Sequence, residues 1–141
     1  MFDWDGSDFT GTKIALIHDS KLVTFQRDNV SHIPFPGKWD FAGGGREGQE
    51  TPDECAIRET SEELNLYLFE DRIVWRKLYP NWQGDGRVSF FMAAHLSANE
   101  VAAIRLGNEG QRWQLMAISE YMSHPDAINH LQDRLYDYLN R

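Results

Sequence analysis

The chain of 141 residues has one cysteine, no long apolar run and a shortage of positive charge. Cys55 has no partner for an internal disulfide, which fits a reducing compartment such as the cytoplasm. No run of about 18 or more apolar residues occurs, so we expect no membrane span. Residues 1–10 are acidic and aromatic and lack the basic start and apolar core of a secretory signal. These absences together predict a cytoplasmic protein that has no membrane partner.

The charge balance argues against a protein that binds nucleic acid polymers. Fourteen Lys and Arg residues face 22 Asp and Glu residues, for a net charge of −8. A protein that binds a nucleic acid polymer without sequence preference needs a basic surface, so we expect no such partner. The length and a hydrophobic content of 41% suit one domain with a true core. We therefore expect a single domain over residues 1–141.

Apolar periodicity and turn residues predict strands interleaved with two long helices. The expected strands cover residues 13–19, 21–27, 39–42, 72–78, 88–96 and 111–118. The first two should form a hairpin. Shorter helices are expected over 97–103 and 119–122, and a long one over 126–140. This order predicts the α/β (α+β) class, with a mixed sheet covered by helices on both faces.

The remaining long helix follows a glycine-rich loop at residues 43–45. Thr51 is a good N-cap, Pro52 suits the first helical position, and Glu54 completes a capping box. Asn65 tolerates the left-handed conformation that ends many helices. The helix is therefore expected to begin just after Thr51 and to end near Asn65.

Three carboxylates lie on one face of this helix, because Glu59, Glu62 and Glu63 are spaced three and four residues apart. Like charges at this spacing repel one another. A solvated acidic face is one interpretation. The other is a site for a divalent cation such as Mg2+, which prefers oxygen ligands and would turn the repulsion into coordination.

The glycine loop and the acidic helix together resemble the Nudix box. The matching residues are Gly44, Glu50, Arg58, Glu59, Glu62 and Glu63. Thr60 and Asn65 replace the aliphatic residue and the closing glycine of the motif. The resemblance implies a Nudix-type α/β/α sandwich with a mixed β-sheet between helices. It also implies a hydrolase that cleaves a diphosphate bond in a nucleotide, with Mg2+ or alternatively Mn2+ as cofactor.

The resemblance further implies roles for individual residues. The implied metal ligands within the box are the Gly43 carbonyl, Glu59, Glu62 and Glu63. Glu59 is also a candidate general base, and Arg58 would hold it in orientation. Gly44 would let substrate approach the backbone closely. Glu50 would support the junction of loop and helix, and a purely structural role is the alternative for both Arg58 and Glu50.

Three residues outside the box receive roles by the same resemblance. Glu109 stands in a Glu-Gly-Gln segment followed by Trp113, as in MutT-type members, and is a candidate distal metal ligand or base. Arg27 resembles an arginine that contacts substrate phosphate, with an ordinary surface arginine as the alternative. His124 lies near the position where MutT-type members carry a base-reading asparagine, and is our candidate for substrate binding there.

The site for the base is less clear in the sequence. Phe35, Trp39, Trp82 and Phe90 are candidates for stacking on a base, with core or rim packing as the alternative. The five histidines show no metal-ligand spacing, and their default interpretation is structural or solvated.

The favoured function is a MutT-like nucleoside triphosphate pyrophosphohydrolase that releases a nucleoside monophosphate and pyrophosphate. Its partner would be a small-molecule nucleotide, and the protein would be a monomer or homodimer. An ADP-ribose or nucleotide-sugar pyrophosphatase is the alternative substrate class, weakly favoured by Pro80. Two further alternatives are a non-catalytic nucleotide-sensing module and an isomerase of the same fold. Retention of the repulsive carboxylates argues against the sensing module.

Overall fold

The protein is built on one mixed sheet of seven strands, seen in a computed structural model that describes residues 2–141. The strands are β1 (Gly11–His18), β2 (Lys21–Gln26), β3 (Trp39–Asp40), β4 (Ala42–Gly45), β5 (Ile73–Pro80), β6 (Val88–His95) and β7 (Arg112–Ala117). The helices are α1 (Pro52–Leu64), α2 (Ala98–Ala102), α3 (Ile118–Ser123) and α4 (Asn129–Leu139). A single 3-10 turn covers Glu70–Arg72. None of the helices in this part of the chain has the length and apolarity needed to cross a membrane.

The sheet has the order β3-β2-β1-β6-β5, with β4 paired to β1 and β7 paired to β2. Strands β1 and β6 run parallel, and the other pairs run antiparallel. The expected hairpin is confirmed, because β1 and β2 are antiparallel neighbours joined at residues 19–20. The central position of β1 explains its continuous apolar run, since both of its faces are covered.

The two faces of β1 belong to two separate core layers. Ile14 and Leu16 pack in the same cluster as Leu64 of α1. Ala15 and Ile17 point the other way and pack in the cluster that contains Leu131 of α4. The predicted α/β/α sandwich with a mixed sheet between helices is therefore confirmed.

Helix α1 has the ends that its sequence predicts. The Thr51 hydroxyl accepts the Glu54 N–H at 3.1 Å, and the Glu54 carboxylate accepts the Thr51 N–H at 2.8 Å. Asn65 ends the helix in the left-handed region, with φ of 58°. These local hydrogen bonds fix the start of α1 beside the glycine segment, and so they fix the direction in which its carboxylates point.

Two of the boundaries that differ from those predicted bear on the site. The glycines of residues 43–45, expected as a loop, belong to β4 and pair with β1. A Cβ on Gly43 would lie 2.1 Å from the Thr12 carbonyl oxygen, so only glycine permits this pairing. Helix α4 begins at Asn129 instead of residue 126. Residues 126–128 stay outside the helix because this segment pairs with Trp39. The Asp126 carbonyl accepts the Trp39 N–H, and Ala127 forms a parallel β-bridge with Trp39.

Candidate active site

Two adjoining cavities form one cleft, because they share Lys13, Arg27, Gly44 and Gly45 in their linings. One cavity of about 690 Å³, which we call the acidic end, is lined by the carboxylates Glu47, Glu59, Glu62, Glu63 and Glu109. The other cavity of about 290 Å³, which we call the aromatic end, is lined by Phe35, Trp82, His130 and Arg134, among others. The shared residues lie between the two ends.

The carboxylates of α1 differ in burial. Of Glu59, Glu62 and Glu63, the last is the most enclosed, and its carboxylate accepts the Gly43 N–H at 2.7 Å. Burial raises the pKa of Glu63 to about 8, and burial also raises the pKa of Glu59. The side chain of Glu62 is exposed. A Cβ on Gly44 would lie 2.7 Å from the Glu59 carboxylate, so the absence of a side chain there makes room for that group.

Arg58 connects the glycine strand to these carboxylates. Its guanidinium donates two hydrogen bonds to Glu50, at 2.6 and 3.1 Å, and one to the Gly45 carbonyl at 2.8 Å. It also donates to Glu59 at 2.9 Å and to Glu62 at 3.2 Å. These bonds lower the pKa of Glu50 and raise that of Arg58. The geometry fits the positioning roles expected for Arg58 and Glu50.

Asp40 holds two cations between the ends of the cleft. Its Oδ2 accepts the Lys13 ammonium at 2.9 Å and the Arg27 guanidinium at 3.0 Å, while Oδ1 accepts the Phe41 N–H at 2.7 Å. The Asp40 side chain is only 1% exposed. Its position fixes Lys13 and Arg27 side by side, where they can meet an anionic group.

The roles of Lys13 and Asp40 were missed at the sequence level, although one signal was present. Asp40 stands between Trp39 and Phe41 in a short apolar strand. A carboxylate that is buried in such a strand needs a cationic partner, because an unpaired buried charge is costly. Arg27, in contrast, lies where the sequence placed it, at the cleft just after β2.

Glu109 reaches the acidic end from the loop between α2 and β7. The loop is tied to the end of β2, because the Gln111 side chain donates to the Arg27 carbonyl at 2.9 Å and the Gln111 N–H to the Gln26 carbonyl at 2.8 Å. The structure thus brings Glu109 to the same cavity as the carboxylates of α1, from a distant part of the sequence.

The fit of the acidic end to a divalent cation depends on how closely its side chains converge and on the chemistry of their atoms. Within residues 2–141, no three acidic, histidine or cysteine side chains converge closely enough to enclose a metal ion. The Gly43 carbonyl, an expected ligand, accepts the Lys13 ammonium at 3.4 Å. The donor set is nevertheless that of a hard cation, since every candidate ligand is an oxygen. The buried carboxylate of Glu63, whose charge burial disfavours, fits a nearby cation as well.

His124 is not brought to the cleft. It does not appear in the lining of either cavity. Its Nδ1 accepts the Asp126 N–H at 3.0 Å, and its ring lies 6.3 Å from the ring of Trp39. This geometry gives a local structural role, and we do not carry His124 into the proposed site. His130 of α4, whose default interpretation was structural, lines the aromatic end instead.

The four candidate stacking residues divide into two pairs. Trp39 and Phe90 are buried in the two core clusters, so packing explains them. Phe35 and Trp82 line the aromatic end, together with His130. Their rings make edge contacts, with the centroids of Phe35 and Trp82 4.8 Å apart.

A family model of the NUDIX domain matches residues 10–139, nearly the whole chain. The chain belongs to the Nudix family. As a Nudix protein it is an enzyme of the pyrophosphohydrolase class, as the sequence predicted.

Solved structures of other proteins share this Nudix fold. The MutT protein from Methanosarcina mazei Go1 is 15% identical over 99% of each chain, with a TM-score of 0.73. An Ap4A hydrolase from C. elegans is 14% identical over 92% of this chain and 96% of that one, with a TM-score of 0.66. A bifunctional NMN adenylyltransferase/ADP ribose pyrophosphatase from Francisella tularensis is 21% identical over 82% of this chain and 35% of that one, with a TM-score of 0.61. The fold is therefore MutT-like.

Proposed function

We propose that this Nudix enzyme is a Mg2+-dependent nucleoside triphosphate pyrophosphohydrolase that releases a nucleoside monophosphate and pyrophosphate. The observation that carries the proposal is the order of groups along the cleft. Carboxylates line one end, Lys13 and Arg27 stand in the middle, and aromatic rings line the other end. The same order would hold a nucleotide with its metal ion at the acidic end, its phosphate chain in the middle and its base at the aromatic end. The likeness in fold to a MutT protein supports the same assignment.

The carboxylates of the acidic end would hold the metal. Glu59, Glu62, Glu63 and Glu109 offer the oxygen donors. When bound, Mg2+ would lower the pKa of the attacking water and neutralise charge that develops on the phosphate oxygens. The Gly43 N–H holds one oxygen of Glu63, so that carboxylate has a fixed direction before any ligand arrives.

The remaining polar groups would bind substrate and move a proton. Lys13 and Arg27 would contact the phosphate chain, since Asp40 fixes both cations at the middle of the cleft. Glu59 is our candidate general base, because burial raises its pKa and makes its carboxylate a better proton acceptor. Glu109 is the alternative base. Arg58 would keep Glu59 in orientation through the bond at 2.9 Å.

The test is a panel of nucleotides with Mg2+, followed by identification of the products. We expect a nucleoside triphosphate to yield the monophosphate and pyrophosphate. ADP-ribose and nucleotide sugars belong in the panel, and preferential cleavage of either would replace the triphosphate in the proposal. Absence of turnover with every nucleotide and metal would contradict an enzyme and favour the sensing module.

Single substitutions test the residue roles. Glu63→Gln keeps the shape of the side chain and removes the charge, and we expect roughly a 100-fold or greater loss of kcat. Glu109→Gln should also lower kcat, and an unchanged rate would exclude Glu109 as ligand and as base. Glu120→Gln is the matched control, because Glu120 is exposed on α3 and absent from the linings of both ends. Near-normal activity of Glu63→Gln would refute the metal site.

A further inference from the structure

The aromatic end carries an aromatic wall formed by Phe35, Trp82 and His130, of which Phe35 also packs against a core cluster. Trp82 is 47% exposed, although tryptophan is a large apolar residue. Its ring lies parallel to the His130 ring, with centroids 6.2 Å apart and planes 8° apart. The Phe35 ring lies 5.5 Å from the His130 ring. Rings that line a cavity, here the exposed Trp82 and the half-buried Phe35 and His130, offer faces on which a planar heterocycle can stack.

A buried cation lines the same cavity. Arg134 of α4 is only 6% exposed, and its guanidinium donates to the Pro80 carbonyl at 3.0 Å and to the Ser89 hydroxyl at 3.4 Å. Nowhere in residues 2–141 does a carboxylate form an ion pair with this guanidinium. A buried cation without a counter-ion is costly, and the Tyr79 ring, whose centroid lies 4.8 Å from the guanidinium, offsets only part of this cost. Acceptor atoms on a ligand would offset more of it.

The other polar groups of the aromatic end leave few free acceptors for a ligand. Asp40 is occupied by Lys13, Arg27 and a backbone N–H. The Asn81 Nδ2 donates within its own turn, and its Oδ1 accepts the Thr10 hydroxyl at 3.5 Å. Burial lowers the pKa of His130 to about 4, so the ring is neutral at pH 7 and offers one donor and one neutral acceptor nitrogen. Apart from the occupied Asp40, the acceptors at this end are neutral, and the guanidinium of Arg134 is a charged donor, which makes the stronger hydrogen bonds.

The edges of the bases differ in what they present to such a donor. Guanine offers two acceptors, O6 and N7, and an arginine can bond both at once. Uracil, like thymine, offers the acceptor O4, whereas adenine and cytosine place an amino group at the corresponding position. A guanidinium that meets this edge thus favours a base with a carbonyl oxygen at the O6 or O4 position over one with an amino group there.

We propose that the aromatic end binds the base of the substrate, with the wall stacking on its face and Arg134 selecting bases that carry a carbonyl oxygen at the position of guanine O6 or uracil O4. Guanine, hypoxanthine and uracil nucleotides would be preferred over adenine and cytosine nucleotides. The inference rests on the proposed function, which supplies the premise that the ligand is a nucleotide. It adds a specificity residue, Arg134, and a stacking residue, Trp82.

Two measurements test the inference, one with turnover and one without. The first compares kcat/KM for GTP, ITP and ATP with Mg2+. The second measures equilibrium binding of GMP, IMP and AMP without metal, which requires no catalysis. We expect a guanine or hypoxanthine preference of about tenfold or more, as for a hydrogen bond to a charged group.

Three variants assign the preference to residues. Trp82→Ala should weaken GMP and AMP binding alike, by about tenfold or more, because stacking does not distinguish bases. Arg134→Gln should weaken GMP binding and leave AMP binding nearly unchanged, and Arg134→Lys, which keeps the charge, should lose part of the preference. Tyr67→Ala is the matched control, because Tyr67 is exposed and lies outside the cleft.

The outcomes separate this inference from the proposed function. Turnover without preference among the bases would overturn the inference and leave the proposed function intact. Carbonyl-selective binding without turnover of any nucleotide would support the inference and contradict the enzyme. If Arg134→Gln fails to fold, Arg134→Lys and the wild-type preference still decide the role of Arg134. Unchanged binding in Trp82→Ala would overturn the stacking site.

Discussion

Replacing Arg58 by lysine tests whether the planar shape of the guanidinium, and not its charge alone, organises the acidic end. Arg58 makes five hydrogen bonds to four residues. A lysine ammonium keeps the charge but cannot bond both Glu50 oxygens and the Gly45 carbonyl in the same geometry. We therefore expect Arg58→Lys to lower both the stability and the activity.

The magnitude follows from the bonds that are lost. A hydrogen bond to a charged group contributes about 1.5–3 kcal/mol, and the Arg58 and Glu50 side chains are 20% and 17% exposed, so water compensates for part of the loss. Loss of the second Glu50 contact and of the Gly45 contact should lower the free energy of unfolding by about 2–3 kcal/mol at pH 7. The hydrogen bonds from Arg58 lower the pKa of Glu50, so this stabilisation is present above the unfolded pKa near 4.5. It is lost as pH falls through the lower folded pKa.

The assay is urea-induced unfolding at pH 7 and at lower pH, together with steady-state kinetics. Arg72→Lys is the matched control, because the Arg72 guanidinium donates two hydrogen bonds to Glu100, at 2.7 and 2.8 Å, and does not line the cleft. It should lose comparable stability and keep kcat, whereas Arg58→Lys should lose kcat as well because the Glu59 carboxylate is no longer held. A stability change below about 0.5 kcal/mol for Arg58→Lys, or equal kinetics in the two variants, would refute the reasoning.

Three further predictions follow from the cleft. His130 has a folded pKa of about 4, below the ordinary 6.5, so its contribution to stability is complete above pH 6.5 and is lost as pH falls toward 4. Between pH 7.5 and 4.5, the free energy of unfolding measured in urea should fall by about 2 kcal/mol more in the wild type than in His130→Gln. Parallel plots of this free energy against pH for the two proteins would contradict the prediction. Asp40→Asn should release Lys13 and Arg27 and raise KM for the nucleotide about tenfold, with a smaller change in kcat, in steady-state kinetics. An unchanged KM would show that Asp40 does not position the two cations. Mg2+ should raise the thermal midpoint of the wild type, and EDTA should reverse this. Glu63→Gln should show a smaller rise, and an equal rise would place the metal elsewhere.

Local signals made the central helix predictable. The capping box of Thr51 and Glu54 and the left-handed Asn65 act within a few residues, and both ends of α1 were predicted from them. The glycine segment and the start of α4 were predicted less well. Strand β4 exists because β1 lies beside it, and residues 126–128 are held by Trp39. Pairings between distant segments leave no local pattern in the sequence.

The same distinction applies to the site. Glu59, Glu62 and Glu63 share one helix, so their spacing alone places them together. The Lys13–Asp40 pair joins two strands that are distant in the sequence. The only sequence signal for it is an aspartate within a short apolar strand, which needs a cationic partner. The aromatic end gathers rings from a loop, a turn and α4, and nothing in the spacing of those residues predicts that they meet.

The acidic composition and an anionic substrate are reconciled by where the charges lie. A net charge of −8 repels a phosphate chain in general. Lys13 and Arg27, however, face the middle of the cleft, and the one carboxylate that they share is only 1% exposed. The charge of Asp40 is offset by the two cations that it fixes. The other carboxylates that line the cleft are gathered at the acidic end, where a divalent cation would reverse the sign of the local charge. On this view attraction of the substrate depends on metal more than on the protein's own charge. The apparent KM should then fall as Mg2+ increases, before kcat saturates, and a KM independent of Mg2+ would show that Lys13 and Arg27 suffice.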